Sequence, residues 1–245
     1  MTEIATVFLA GLVVFVTHAL EAITGFGCTV LALPFITALF GVKQGVEVLT
    51  ILAWILSLYI VITKHKDIAW HEFGKILAFV LAGLPIGMYL FHHVDAAPLK
   101  RVLSYFIIVA ASIQLVQFVF PKVGQIRMPK AVGYVLLFLG GIIHGIFSSG
   151  GPLIVLYASQ SLPEKGRFRA TLCLLWVALN SIIIGSYVFS SSITQPVATK
   201  TLAMLPFLAA GIVAGEWAHQ RVKPDTFKVL IFSTLLLTGI VMLVA

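Results

Sequence analysis

The sequence contains few charged residues. Asp, Glu, Lys and Arg make up only 10% of the 245 residues, whereas soluble domains are about a quarter charged. Hydrophobic residues reach 60%, and the mean hydropathy is +1.08. Apolar runs near membrane-spanning length recur along the whole chain and leave no room for a separate soluble domain. Because helices satisfy their own backbone in lipid, the composition predicts an all-α membrane protein.

Acidic residues and cysteines are also scarce. Nine acidic residues stand against 16 basic ones, for a net charge of +7. The basic residues fall in short loops, where they set topology, so the charge does not imply nucleic acid. Cys28 and Cys173 lie in apolar segments without metal-ligand spacing or disulfide patterning. The first apolar segment lacks a basic start, which argues against a cleaved signal peptide.

Signatures of catalysis are missing as well. The chain has no phosphate-binding GxxxxGK[ST] loop, no Ser-His-Asp arrangement in a plausible loop and no paired carboxylates. His92, His93 and Asp95 are metal-ligating residue types, but they lack a second cluster and are expected to be solvated. We therefore expect neither an ATP-driven pump nor an enzyme, and no cofactor or metal.

Eight apolar segments are present, and two of them are too long for one simple crossing. The first breaks at residues 24–27 and the fifth at 148–152, where glycines interrupt the helical pattern. The segments are 4–40, 45–63, 73–92, 99–120, 131–161, 170–190, 200–219 and 226–245.

The two breaks resemble each other. His144 to Pro152 reads His-Gly-Ile-Phe-Ser-Ser-Gly-Gly-Pro, and in the first half His18 to Gly27 reads His-Ala-Leu-Glu-Ala-Ile-Thr-Gly-Phe-Gly. In both, a His precedes a Gly by seven residues, which makes His144 the counterpart of His18. Irregular backbone at membrane depth is tolerated only where protein buries it or where it lines a cavity. Paired broken helices indicate a transporter's binding site, although close packing through small residues is an alternative.

The helix that follows each break offers an anion site. Its first amides are unpaired and carry a partial positive charge, and Pro152 suits the first turn of a new helix. Two such starts could hold an oxyanion without a buried Lys or Arg. The opposing C-terminal ends could instead hold a cation, but the caps mark the helix starts more clearly. The predicted substrate-binding residues are Thr24, Gly25, Phe26, Gly27, Ser148, Ser149, Gly150, Gly151 and Pro152.

Other polar residues lie inside the apolar segments. His18 and Glu21 share a helix face, either as a proton relay or as a neutral hydrogen-bonded pair that fastens two helices. His144 is a further candidate for proton coupling. Trp54, Trp176 and Asn180 could wall a substrate cavity, with core or lipid-facing packing for the tryptophans and interhelical hydrogen bonding for Asn180 as alternatives. Glu216 and His219 fall at a helix end, where exposure costs little.

The halves of the chain repeat weakly. Phe79, Gly83 and Gly87 recur 128 positions later as Phe207, Gly211 and Gly215, and Trp54 matches Trp176. Residues 1–125 and 126–245 thus look like two copies of one unit, a broken segment followed by three helices.

The positive-inside rule orients these units. If each broken segment returns to the side it entered, all the most basic loops share one side, which we take as cytoplasmic. A full helical hairpin in the first segment would also return the chain to the side from which it entered. The copies are then inverted, with both termini on the non-cytoplasmic side of a cell inner membrane. The four basic loops are 64–75, 121–130, 162–169 and 220–228.

These features resemble the TauE/SafE family of sulfite and organosulfonate exporters. The resemblance covers the whole chain, through Gly25-Phe26-Gly27 followed by Pro34 and through the His144–Pro152 stretch. It implies a secondary transporter, with sulfite or a short organosulfonate as substrate, and it carries over the glycine-rich stretches as candidate binding positions. Alternating access around a midplane site is expected. A channel or transporter for a cation or neutral solute, or a membrane scaffold, is the alternative.

Overall fold

The chain folds into helices. A computed structural model describes residues 3–93, 96–119, 128–147, 151–189 and 193–244, and these residues form α-helices, one 3₁₀ turn at 65–67 and no strand. The predicted all-α class is confirmed. The helices are α1 Glu3–Thr24, α2 Cys28–Phe40, α3 Val42–Thr63, α4 Trp70–His93, α5 Ala96–Val119, α6 Lys130–Phe147, α7 Gly151–Ser161, α8 Lys165–Phe189, α9 Gln195–Arg221 and α10 Pro224–Val244.

The first long segment breaks where glycine permits an unusual backbone. Gly25 has φ +86° and Gly27 has φ +103°, a left-handed region that residues with a Cβ rarely adopt. The chain therefore leaves α1 after Thr24 and starts α2 at Cys28. In the second long segment α6 ends at Phe147 and α7 begins at Gly151. Ser148, Ser149 and Gly150 lie outside the described residues.

Helix lengths indicate how the chain crosses the bilayer. The 22 residues of α1 extend about 33 Å at 1.5 Å per residue, enough for a full crossing. This length favours a helical hairpin for the first broken segment, and the choice between a re-entrant segment and a hairpin stays a prediction. Among the described residues, five helices are long and apolar enough to span a membrane. The chain is a multi-pass membrane protein. These spans are 4–24, 43–63, 70–90, 165–189 and 195–221.

The helices form two structural units. Unit 1 comprises residues 1–68 and 169–221, and unit 2 comprises 69–168 and 222–245. In unit 1, α1 lies along α9, α2 packs on α3, and α3 also contacts α9. Its core is aliphatic, with Leu49, Leu52 and Leu56 of α3 completely buried. In unit 2, α4 lies along α6, α5 lies along α10, and α7 folds back on α6.

Each unit takes helices from both predicted halves. Unit 1 joins α1–α3 to α8 and α9, and unit 2 joins α4 and α5 to α6, α7 and α10. The division into repeats at 1–125 and 126–245 is a statement about sequence ancestry, and it stays a prediction.

Glycines let the long helices approach closely. On α4, a Cβ at Gly83 would collide with the carbonyl oxygen of Phe138, and one at Gly87 with that of Ile142. On α9, a Cβ at Gly211 would lie 2.9 Å from the carbonyl oxygen of Phe15. Small residues four apart allow such backbone contact between membrane helices. Close packing thus explains these glycines, whereas the glycines at the first break adopt positive φ.

The described residues stop at Phe147 and resume at Gly151, so the correspondence of His144 with His18 stays a prediction.

The close packing of α4 on α6 predicts a specific loss of stability. Gly87→Leu forces side-chain atoms into the α6 backbone and should destabilise the protein by about 1–3 kcal/mol. Gly74→Leu is the matched control on the same helix, because no atom lies within 4 Å of a Cβ there. Thermal unfolding in detergent measures both variants. Equal midpoints for the two variants would contradict close packing at Gly87.

Candidate functional site

The first break is held by side chains from α8 and α9. At the end of α1, the carbonyl of Ala22 accepts a hydrogen bond from Arg169 Nη1 at 2.7 Å. The carbonyl of Ile23 contacts His219 Nδ1, also at 2.7 Å. Trp176 Nε1 donates to the carbonyl of Gly25 at 2.7 Å. The last turn of a helix leaves carbonyls without helical partners, and here three of them are engaged from outside.

These contacts weaken the case for a cation at the end of α1. Carbonyl oxygens at a helix C-terminus carry a partial negative charge and could coordinate a cation. A guanidinium group, an imidazole and an indole already engage the oxygens of Ala22, Ile23 and Gly25. The Arg169 cation occupies the electrostatic position that a bound cation would take.

The start of α2 holds a carboxylate from the protein itself. The Cys28 amide donates to Glu21 Oε2 at 2.8 Å, and Glu21 is only 3% exposed. Gly27, the N-cap residue, has no side chain that could cap the helix. Carboxylates are favourable at helix N-termini because of the partial positive charge there. The carboxylate of Glu21 is itself an oxyanion, so the start of α2 binds the kind of group that it is predicted to bind.

His18 and Glu21 bind different partners. His18 Nδ1 lies 2.9 Å from the carbonyl oxygen of Val14 on its own helix, whereas Glu21 reaches forward to α2. His18 Nε2 is buried and has no hydrogen-bond partner among the described residues. The structure therefore does not join the two side chains into the hydrogen-bonded pair that was one alternative. His144 is also buried, near the end of α6.

A buried ion pair lies beside the first break. Arg169 Nη1 lies 2.6 Å from Glu216 Oε1, with side-chain exposures of 2% and 13%. Glu216 Oε2 is 3.8 Å from Lys64 Nζ, at the end of α3. An oxyanion site without a buried Arg was expected, and Arg169 was counted as a loop residue. Glu216 and His219, expected at an exposed helix end, are mostly buried because they face the end of α1.

A sequence signal for Glu216 and His219 was present. They stand three apart in a predicted membrane helix, the same spacing that marked His18 and Glu21. Arg169 gave a weaker signal, since Arg near a helix end is also what the positive-inside rule predicts.

The break lies near one end of unit 1. Arg169 is the fifth residue of α8, and His219 is two residues from the end of α9. Both contact the end of α1, so Gly25 and its neighbours are level with these helix ends rather than halfway along them. The 22 residues of α1 precede these glycines, and the midplane depth of the site stays a prediction.

The predicted cavity residues have structural partners. Trp176 bonds the break itself, through the carbonyl of Gly25. Trp54 Nε1 donates to Ser181 Oγ at 2.9 Å, which links α3 to α8 within unit 1. Asn180 is buried at 6% exposure. Of the second break, the structure describes Gly151, which is half-buried, and Pro152, which is buried in the first turn of α7.

Unit 2 contains a cavity of about 1050 Å³ at the ends of α4, α6, α7 and α10. Tyr157 of α7 donates its hydroxyl to Glu72 at 3.1 Å, and Lys75 pairs with the same carboxylate at 2.6 Å. All four basic loops contribute to the lining, which supports the expectation that they lie on one side of the membrane. Residues contributed by these loops include Glu72, Lys75, Lys130, Leu162, Asp225 and Lys228.

A sequence comparison identifies the family of this membrane protein. A family model described as "Sulfite exporter TauE/SafE" matches residues 9–242, nearly the whole chain. The chain belongs to the TauE/SafE family. Members of this family are membrane transporters, not enzymes, so the resemblance seen in the glycine-rich stretches is confirmed. No curated protein and no solved structure matches this TauE/SafE chain.

The bond between Trp176 and the break predicts a difference between the two tryptophans. Trp176→Phe keeps the apolar ring but leaves the Gly25 carbonyl without its donor, at a cost of about 1–3 kcal/mol. Trp54→Phe is the control, because the hydroxyl of its partner Ser181 still donates to the carbonyl of Val177 at 2.7 Å. We expect a lower unfolding midpoint for Trp176→Phe than for Trp54→Phe. The reverse order would show that the indole bond to Gly25 is unimportant.

Proposed function

We propose that this TauE/SafE transporter carries a small sulfur-containing oxyanion, sulfite or a short organosulfonate, out across the cell inner membrane. The observation that carries the proposal is the carboxylate of Glu21 on the start of α2. A sulfonate presents the same kind of acceptor oxygen and could replace a carboxylate on backbone amides at about 2.9 Å. The family match supports a transporter, and the break supports an anion as its cargo.

Each break supplies candidate binding residues. The candidate binding residues are those of the glycine-rich stretches, from Thr24 to Gly27 and from Ser148 to Pro152, with Trp54, Trp176 and Asn180 as candidate walls. Alternating access between two inverted repeats is the proposed mechanism. The packing of α1 on α9 and of α4 on α6 supports the repeats, since each pairs the first helix of one predicted half with the same later helix of the other. Non-cytoplasmic termini follow from the basic loops.

The position of Glu21 supports proton coupling. Ionised, its carboxylate accepts from the Cys28 amide and competes with an incoming anion. Protonated, it is a weaker acceptor and leaves the amide to the substrate. The titratable side chains that interact with Glu21 are the thiols of Cys28 and Cys173, from α2 and α8. His18 and His144 are the other proton-coupling candidates.

A cation transporter is less well supported. The carbonyls at the end of α1 are engaged by Arg169, His219 and Trp176. A scaffold without transport is disfavoured by the family.

The proposed substrate can be tested with purified protein in detergent and in liposomes. Sulfite or ethanesulfonate at about 100 times its dissociation constant should stabilise the protein by about 2.7 kcal/mol, whereas a divalent metal chloride should not. In liposomes, Gly151→Leu should abolish sulfonate flux, because a side chain there obstructs the start of α7. Gly185→Leu is the control, since no atom lies within 4 Å of a Cβ at this position. Stabilisation by the metal alone would reverse the assignment, and a wild type without flux would favour a scaffold.

The proposed proton coupling predicts how flux depends on pH. With ethanesulfonate, whose charge is constant over the range tested, wild-type flux should rise as Glu21 is protonated. Glu21→Gln should flatten this dependence, because glutamine does not titrate, and His18→Gln tests the second candidate. Asp67→Asn, at an exposed position in the 3₁₀ turn, is the control. If both Gln variants keep the wild-type pH profile, neither residue couples protons.

A further inference from the structure

Arg169 lies directly against the glycines of the first break. A Cβ placed on Gly25 would lie 3.0 Å from Arg169 Cα and 3.2 Å from Arg169 Cγ. The stem of the arginine therefore crosses the turn that leads into α2. Arg169 and the start of α2 belong to one structural unit, although 141 residues separate Cys28 from Arg169 in sequence (169 − 28).

The donors of this guanidinium are only partly engaged in hydrogen bonds and ion pairs. Nη1 makes both known contacts, with the carbonyl of Ala22 at 2.7 Å and with Glu216 at 2.6 Å. Nε is buried and has no hydrogen-bond partner among the described residues, and no described acceptor contacts Nη2. The Nε–Nη2 edge presents two parallel N–H donors, a geometry that matches two oxygens of an oxyanion.

A structural role does not require a charge at position 169. The neighbouring carbonyls of Ile23 and Gly25 are satisfied by His219 and Trp176, which need carry no charge. Burying a guanidinium is costly unless an anion pairs with it. In the structure Glu216 provides that anion, and the unused edge remains.

We propose that Arg169 is a direct ligand of the transported oxyanion through its unused edge, and that Glu216 competes with the oxyanion for the charge of Arg169 and exchanges this partner for Lys64 when the oxyanion binds. This inference rests on the proposed function. The oxyanion bridges the Nε–Nη2 edge and the first amides of α2, where Glu21 now binds Cys28. Glu216 then keeps Lys64 as its partner, since Oε2 already lies 3.8 Å from Lys64 Nζ. Glu216 is therefore not left without a cation, and Glu21 leaves the Cys28 amide in its protonated form, as in the proposed proton coupling.

The exchange gives the site a preference among anions. A two-donor edge favours anions with two oxygens on one face, such as sulfite, sulfonates and carboxylates. Chloride has the same charge as a sulfonate, but it is a single atom and offers only one acceptor to the two donors of this edge. The wild type should therefore bind ethanesulfonate in preference to chloride.

The decisive variant is Glu216→Gln, because the two possible roles of Glu216 predict opposite results. If Glu216 competes with the substrate, its removal frees Arg169, and ethanesulfonate should bind about tenfold more tightly. This factor is expected if about 90% of the wild-type molecules hold Arg169 in the pair with Glu216. If Glu216 only stabilises the fold, affinity stays equal or falls. Isothermal titration of the full chain in detergent gives the dissociation constant. Glu164→Gln is the control, since Glu164 forms an exposed pair with Arg167.

Arg169→Lys tests the guanidinium edge separately. Lysine keeps the positive charge but cannot present two parallel donors, so ethanesulfonate should bind at least about tenfold more weakly. The preference for ethanesulfonate over chloride should also shrink, which a purely structural residue would not cause. Arg167→Lys on the same helix, with 61% side-chain exposure, is the control.

The outcomes separate this inference from the proposed function. Tighter binding by Glu216→Gln together with lost anion selectivity in Arg169→Lys supports it. A wild type that binds and transports sulfonate, with a Glu216→Gln variant that binds no more tightly, overturns the exchange and leaves the proposed function intact. If Arg169→Lys is too unstable to purify, Glu216→Gln decides alone. A wild type that binds no oxyanion overturns both.

Discussion

The first helix break depends on donors that α1 and α2 do not possess. A buried carbonyl has no water to bond, and each one left without a donor costs about 1–3 kcal/mol. Arg169 and Trp176 on α8 and His219 on α9 supply these donors. The interrupted segment is therefore stable only when helices far along the chain pack beside it. This requirement explains why polar and charged side chains occur in otherwise apolar helices.

The charges at the break follow the dipoles of the two helices that meet there. Arg169 lies at the negative end of α1, and Glu21 binds the positive start of α2. Both signs are thus matched within the protein before any ligand arrives. In the proposed mechanism a substrate competes with internal groups rather than entering an empty site. Such competition would couple binding to a rearrangement of the break, as alternating access requires.

Glycine has two different roles in this chain, and the backbone distinguishes them. Gly25 and Gly27 adopt positive φ and interrupt a helix. Gly87 and Gly211 stay inside continuous helices and allow backbones to come into contact. The glycine-rich composition is compatible with either role, and the two interpretations left open for the breaks both occur, at different positions. The glycines 128 residues apart in the two halves share the packing role, which accounts for their recurrence.

The sequence by itself determined the features that depend on neighbouring residues. Hydropathy indicated the membrane class, and the length of the apolar runs together with glycine located both breaks, because a helix forms or ends through contacts a few residues apart. Only the tertiary structure decided that Arg169 pairs with Glu216 and that His219 binds the carbonyl of Ile23. Residues 22 and 169 meet because two distant helices pack together, and that packing depends on the shape of whole helix faces rather than on any local pattern.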